Sequence, residues 1–354
     1  MTVMNARRRP LISATVAGAT ALGVLSLTAC GEGGSGTTED GRMSVVASFY
    51  PMQFLAERIG GDHVSVETLT EPGVEPHDLE LNAKQTGRLS EAGMIVYLKG
   101  LQPAVDEAID QSGAEHVVEA TEHTKLSESG DDHDHGGDHG DHDDHGDHGD
   151  HGDHDDHDDH DDHDPGDEEH DGGGHEGHDH GPLDPHVWLD PVKYAEVAEG
   201  VGKAMAEADP DNSDDYADNT SALAKELRTL DKEFSDGLKK TRTSTFVTTH
   251  SAFGYLADRY GLDEESVAGL DPESEPSPAR MKELHGIVRE EKVNTVFFEQ
   301  IASDRTVKSL AGDLKLKTDV LDPVEGITKE SRGKNYLEVM RANLAALQKA
   351  LGAE

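Results

Sequence analysis

The stretch Asp211–Lys240, DNSDDYADNTSALAKELRTLDKEFSDGLKK, is highly charged. Its apolar positions Leu223, Leu227, Leu230, Phe234 and Leu238 recur at spacings of 4, 3, 4 and 4. That is a single stripe at the helical period. A helix of about 28 residues extends about 42 Å at the usual rise per residue. One apolar stripe on so long a helix suits a strut packed along two lobes.

The chain on either side of the strut reads as those two lobes. Upstream, MSVVASF (43–49), VSVETLT (64–70), Met94–Leu98 and His116–Ala120 are strand candidates. They alternate with helical segments at 51–59, 82–92 and 102–111, and Lys193–Ala208 is a further helix. Downstream, Ser244–Thr249, VNTVFF (293–298) and Thr318–Leu321 are strands. Helices at 252–260, 277–290 (entered through Pro278), 303–314 and 334–351 separate and close them. Such alternation predicts α/β layers with largely parallel sheets. The expected organisation is an N-terminal lobe over 43–210, a connecting helix over 211–240 and a C-terminal lobe over 241–354.

Residues 1–30 read as an export signal. Arg7, Arg8 and Arg9 form a basic start, and Leu11–Ala29 is apolar but too rich in small residues for a membrane span. The segment ends Leu27-Thr28-Ala29-Cys30, which resembles a bacterial lipobox, and Cys30 is the only cysteine of the chain. That resemblance implies cleavage before Cys30, lipidation of it and anchoring at the membrane. No internal disulfide is possible, and any tight metal site in the folded part must use His, Asp and Glu. Residues 31–42 read as a flexible tether.

Between the first-lobe strands and the strut lies a low-complexity insert, residues 122–181. It holds 16 of the 22 histidines, and from His139 to His163 one recurs at every third position: His139, His142, His145, His148, His151, His154, His157, His160 and His163. His133 and His135 precede that run. The segment has almost no apolar residues to bury, so it is expected to be solvated and disordered. Dense imidazole and carboxylate make it a candidate auxiliary store for borderline metals such as zinc. It carries −24 of the formal charge of −43; the remaining −19 still argues against nucleic acid as a partner.

Outside the insert, three residues of metal-ligating type fall at sheet ends by position alone. His250 follows the strand at 244–249, Asp322 follows the strand at 318–321, and His77 lies on the loop after 64–70. Open α/β sheets bind ligands beyond the carboxyl ends of their strands. His186 lies between Pro185 and Pro191, and Pro76 precedes His77. Proline stiffens such loops, as a metal site needs. Three His and one Asp are a complete tetrahedral set for zinc. Glu75 and Glu299 are available as supporting or substitute ligands, and His63, His116 and His285 read as surface residues.

GVEPHDLE (73–80), DPHVWLDP (184–191), THSAFGYLADRYGL (249–262), PESEPSPARM (272–281), VFFE (296–299) and VLDPVEG (320–326) together resemble the zinc/manganese solute-binding lipoproteins of ABC transporters. The resemblance runs from about Met43 to the end. It implies two Rossmann-like α/β lobes joined by one long helix, with metal in the cleft between them. His77 and His186 would come from the first lobe and His250 and Asp322 from the second. Manganese-type members usually place a carboxylate where His250 stands, so the resemblance favours zinc.

The implied function is extracytoplasmic capture of zinc by a monomeric lipoprotein, which delivers it to a membrane permease with a cytoplasmic ATPase. Alternatives are manganese or broader divalent-metal binding, or a zinc buffer or adhesin without a permease. A zinc hydrolase is disfavoured. Catalytic zinc keeps an open position that four protein ligands would close, and no HExxH motif is present.

Overall fold

A computed structural model describes residues 36–126, 183–299 and 305–353. The signal segment with Cys30, and the histidines from His133 to His163, lie outside the described residues. The first lobe begins with β1 (Met43–Ala47), α1 (Tyr50–Gly60), β2 (Val64–Thr68), α2 (Ala83–Glu91) and β3 (Met94–Tyr97). It continues with α3 (Pro103–Ser112), β4 (Val117–Glu119) and α4 (Pro191–Ala208). Its sheet runs β2-β1-β3-β4, and every pairing is parallel. All four residues of β3 are buried, as expected where helices cover both faces.

Helix α5 (Ser213–Gly237) leads into the second lobe. That lobe comprises β5 (Thr245–Thr248), α6 (Gly254–Tyr260), β6 (Asp263–Ser266), α7 (Pro278–Glu290), β7 (Thr295–Phe298), α8 (Arg305–Leu314), β8 (Lys317–Val320) and α9 (Tyr336–Leu351). Its sheet, β6-β5-β7-β8, repeats the order of the first and is again parallel throughout. The expected two-lobed α/β fold is therefore present.

One strand escapes the sequence reading. β6 is DEES, with no apolar residue and no alternation to detect. It exists because it pairs with β5, with Thr245 opposite Asp263 and Thr248 opposite Ser266. Its charges are held locally: Glu265 pairs with Arg280 at 2.7 Å, and Glu264 accepts from the Thr248 hydroxyl at 2.8 Å. A charged edge strand also discourages edge-to-edge association.

The helix ends follow from local chemistry. Asn82 caps α2 in a capping box with Gln85, and Ser277 caps α7 with Pro278 in the first turn. Asp190 caps α4 by accepting from the backbone of Val192 and Lys193.

Helix α5 buries Leu223, Leu227, Leu230 and Phe234, and Leu238, the last member of the anticipated stripe, is buried just past its end. Its first half and middle are tied to the first lobe: Asn219 Nδ2 donates to Ile59 O at 2.9 Å, and Glu226 pairs with Arg58 at 2.8 Å. Its second half is tied to the second lobe, where Glu233 pairs with Arg341 at 2.7 Å and Gly237 O accepts from Gln348 at 3.1 Å. Gly202 on α4 lets α5 approach, since a Cβ there would collide with the Thr220 side chain.

The two lobes share one apolar core. Phe49, Trp188 and Tyr194 from the first lobe cluster with Phe253, Leu321, Val324 and Tyr336 from the second. Tyr336 packs on Tyr194 and Phe54, with ring centroids 4.6 and 5.5 Å apart. Its hydroxyl donates to Trp188 O, and its backbone N–H donates to the Tyr50 hydroxyl at 3.1 Å. Swinging the lobes far apart would expose this shared core, which opposes large opening.

Candidate metal centre

Loops from both lobes converge beyond the carboxyl ends of the sheets. The loop after β2 carries His77, and the short turn before α4 carries His186. His250 lies two residues past β5, and Glu325 follows β8 in the segment VLDPVEG. One donor atom from each of these four residues falls within 4.8 Å of the others. A single carboxylate oxygen organises the group. Glu325 Oε1 stands 3.4 Å from His77 Nε2, 3.5 Å from His186 Nε2 and 3.8 Å from His250 Nε2. The edges of a tetrahedral zinc shell are about 3.3 Å, from Zn–N distances near 2.0–2.1 Å. The three separations from Glu325 lie close to that edge length.

The supporting contacts determine which ring nitrogen faces the centre. His186 Nδ1 lies 2.7 Å from Asp184 Oδ1, and the same oxygen accepts the His186 backbone N–H at 2.9 Å. His250 Nδ1 lies 2.6 Å from Glu299 Oε1, and Thr249 Oγ1 donates to that oxygen as well. With each Nδ1 engaged, the Nε2 atoms point inward, buried and without a hydrogen-bond partner. Carboxylate–histidine pairs of this kind orient imidazoles toward metals and make them better donors. His77 is held differently. Its backbone N–H donates to Glu75 Oε1 at 3.2 Å, and Gln102, itself buried, donates to Pro76 O at 3.2 Å.

Burial and charge set the protonation of the cluster's own side chains. Burial opposes a charge on His186, but Asp184 and Glu325 outweigh it and raise its pKa to about 10. His250 is raised in the same way, with Glu299 overcoming burial. Burial alone would raise Glu325; the facing imidazoles of His186, His77 and His250 hold it well below the usual carboxylate range instead. Glu75 rises to about 8, from burial and then from the charge of Glu325. A buried anion ringed by three imidazoles is ready to exchange protons for a cation.

Three of the four residues anticipated from sequence are brought together: His77, His186 and His250. The anticipated fourth, Asp322, is not in the cluster, and Glu325 takes that place. Asp322 is buried, but its Oδ1 accepts the Val324 backbone N–H at 2.8 Å, which turns the carboxylate back onto its own loop. VLDPVEG holds two acidic residues three apart, of which only Asp322 was anticipated, and the turn between them decides which one faces the imidazoles. Asp184 was also missed; its only sequence signal was its place two residues before His186. Glu299, named as a supporting group, sits on His250. His63, read as a surface residue, is not a member of the cluster and pairs with Asp215 at 2.8 Å.

The donor set is three imidazole nitrogens and one carboxylate. That combination suits zinc better than manganese, which prefers oxygen. Four protein ligands leave no open position for an activated water, so the site is built to hold a metal rather than to use one.

Comparison with known proteins agrees with this architecture. The family model "Zinc-uptake complex component A periplasmic" matches residues 45–350. The chain is 32% identical over 320 residues to the zinc-binding lipoprotein AdcA of Streptococcus pneumoniae, covering 89% of this chain and 57% of that protein. It thus spans little more than half the length of that relative. It is also 32% identical over 336 residues to the high-affinity zinc uptake system protein ZnuA of Bacillus subtilis, covering 92% and 94% of the two chains. The crystal structure of Zn(II)-bound AdcA from Streptococcus pneumoniae superposes with a TM-score of 0.66 at 29% identity, over 88% of this chain and 58% of that one. With its paired parallel sheets and its match from residue 45 to 350, this chain belongs to the family of the periplasmic component A of zinc-uptake complexes.

Proposed function

We propose that the protein is the extracytoplasmic receptor of a zinc-uptake ABC transporter. It binds one Zn2+ through His77, His186, His250 and Glu325 and delivers it to a membrane permease driven by a cytoplasmic ATPase. The observation that carries this reading is the convergence of three imidazole Nε2 atoms on Glu325 Oε1, with Asp184 and Glu299 holding two of those rings from behind. His77 has a side chain 12% exposed, whereas those of His186, His250 and Glu325 are at most 1% exposed. His77 is therefore the ligand through which zinc would enter and leave.

The lipobox reading of Cys30 supports a lipid-anchored protein held near its permease, where it would act as a monomer. The histidines of the insert, from His133 to His163, would act as an auxiliary zinc reservoir. A chain of about 60 residues tethered beside the cleft keeps such ions at millimolar effective concentration.

The test is calorimetry with zinc on protein from residue 32 onward, with and without residues 124–180. One tight site that survives the deletion and disappears in His250→Ala supports the cleft receptor. Loss of tight binding along with the insert overturns it and makes the protein a zinc buffer.

A further inference from the structure

The loop that presents Glu325 has an unusual backbone. Val324, the residue just before it, adopts a φ of +61°, in the left-handed region. Cβ sterics make that region costly for any L-residue and rare for a β-branched one. Val324 is also fully buried in the core shared by the two lobes, so its backbone cannot turn to water for hydrogen bonds.

Four hydrogen bonds tie this turn. Asp322 Oδ1 accepts from Val324 N at 2.8 Å. The buried amide of Asn343 on α9 clasps Asp322 from both sides: Asn343 Nδ2 donates to Asp322 O at 2.7 Å, and Asp322 N donates to Asn343 Oδ1 at 3.0 Å. Trp188 Nε1 donates to Pro323 O at 2.7 Å. Pro323 itself removes one backbone rotation from the turn. These bonds hold Val324 in a conformation it would otherwise leave, and the next side chain along is the carboxylate facing three imidazoles.

We propose that Asp322 is a positioning residue for Glu325. Its carboxylate anchors the Val324 N–H, sustains the left-handed turn and so aims Glu325 at the metal; it does not bind the metal itself. This rests on the assignment of zinc to His77, His186, His250 and Glu325. Without the Asp322 acceptor, the Val324 N–H is buried and unpaired. The turn then relaxes toward negative φ and swings Glu325 out of the cluster. What the turn needs from position 322 is an acceptor atom, not a charge.

The experiment measures zinc affinity by chelator competition, and the visible spectrum of the Co2+-substituted full-length protein, in five variants. Asp322→Ala is expected to weaken zinc binding about 10–100-fold, the usual cost of losing a group that orients a ligand. It should also shift the cobalt bands toward a shell that has lost a carboxylate. Asp322→Asn keeps an acceptor oxygen and should stay within about threefold of wild type, with an unshifted spectrum, because the remaining contacts are intact. Val324→Gly accepts positive φ without a Cβ. The double variant Asp322→Ala/Val324→Gly should therefore recover much of the affinity and the original spectrum. A residue important only for global stability would show neither the spectral shift nor its reversal by glycine.

Glu325→Gln separates the proposal from the assignment beneath it. If Glu325→Gln binds zinc as wild type does, the ligand assignment fails. If Glu325→Gln is crippled and Asp322→Asn is equally crippled, the ligand assignment stands. The charge of Asp322 is then required, and the positioning role is overturned. Should Asp322→Ala fail to fold, Asp322→Asn and its cobalt spectrum still decide, because a direct ligand would not tolerate that change.

Discussion

Trp188 Nε1 donates to the carbonyl oxygen of Pro323 at 2.7 Å across 135 residues of sequence. The bond joins the turn that carries His186 to the turn that carries Glu325, so a group in one lobe is fastened to the metal loop of the other. The same indole lies 5.1 Å from the His186 ring.

Trp188 is the only tryptophan, and it is fully buried. Its emission should therefore report occupancy of the cleft. Stoichiometric zinc is expected to change its intensity with a one-site end point, and deletion of residues 124–180 should leave that change intact. Metal filling the insert alone should leave the emission unaltered. A titration showing many weak steps and no early break would contradict this.

Glu299 orients His250 through a contact of 2.6 Å to Nδ1. Glu299→Ala should weaken zinc binding about 10–100-fold, mostly through faster release. Glu299→Gln keeps an acceptor oxygen and should lose less. Chelator competition and stopped-flow release would measure both, and equal affinity in Glu299→Ala and wild type would exclude an orienting role.

Zinc binding should expel protons. His186 is raised from 6.5 to about 10 in the metal-free protein, and His250 is raised as well, while only neutral imidazole ligates. Calorimetry near pH 7.5 in buffers of different ionisation enthalpy should show net proton release, and apparent affinity should rise with pH between about 6.5 and about 10. The metal-free fold responds in the opposite sense. Because the folded pKa lies above the unfolded one, the stability contributed by His186 is fully present below about pH 6.5 and is lost as pH rises through about 10. Thermal unfolding across that range, with and without zinc, measures both effects.

Arg259 on α6 pairs with Asp190, the buried carboxylate that caps α4 in the other lobe. Arg259→Ala leaves that carboxylate without its cation and should cost about 2–3 kcal/mol, less than a fully buried pair because the Arg259 side chain is 30% exposed. Denaturant unfolding of the metal-free protein would show the loss. Zinc affinity should change far less, since neither residue touches the cluster.

The sequence by itself determined much of this protein. The stripe of Leu223, Leu227, Leu230 and Phe234 predicts the strut, because burial at a period near 3.6 has no other common explanation. Apolar runs between helical segments predict two parallel sheets. Histidines placed just after strands, or between prolines, predict the metal loops. β6 was invisible because DEES becomes a strand only through its pairing with β5. The fourth member of the cluster was invisible for a related reason. Asp322 and Glu325 are chemically near-equivalent in the linear chain, and nothing in VLDPVEG says which one turns inward. Only the tertiary structure decided it: the Asn343 amide, the Trp188 indole and the packing of Val324 hold a left-handed turn that directs Asp322 onto its own backbone and Glu325 toward the imidazoles. Local periodicity is written in residue order, whereas the direction of a loop carboxylate is set by contacts that meet only after both lobes have folded.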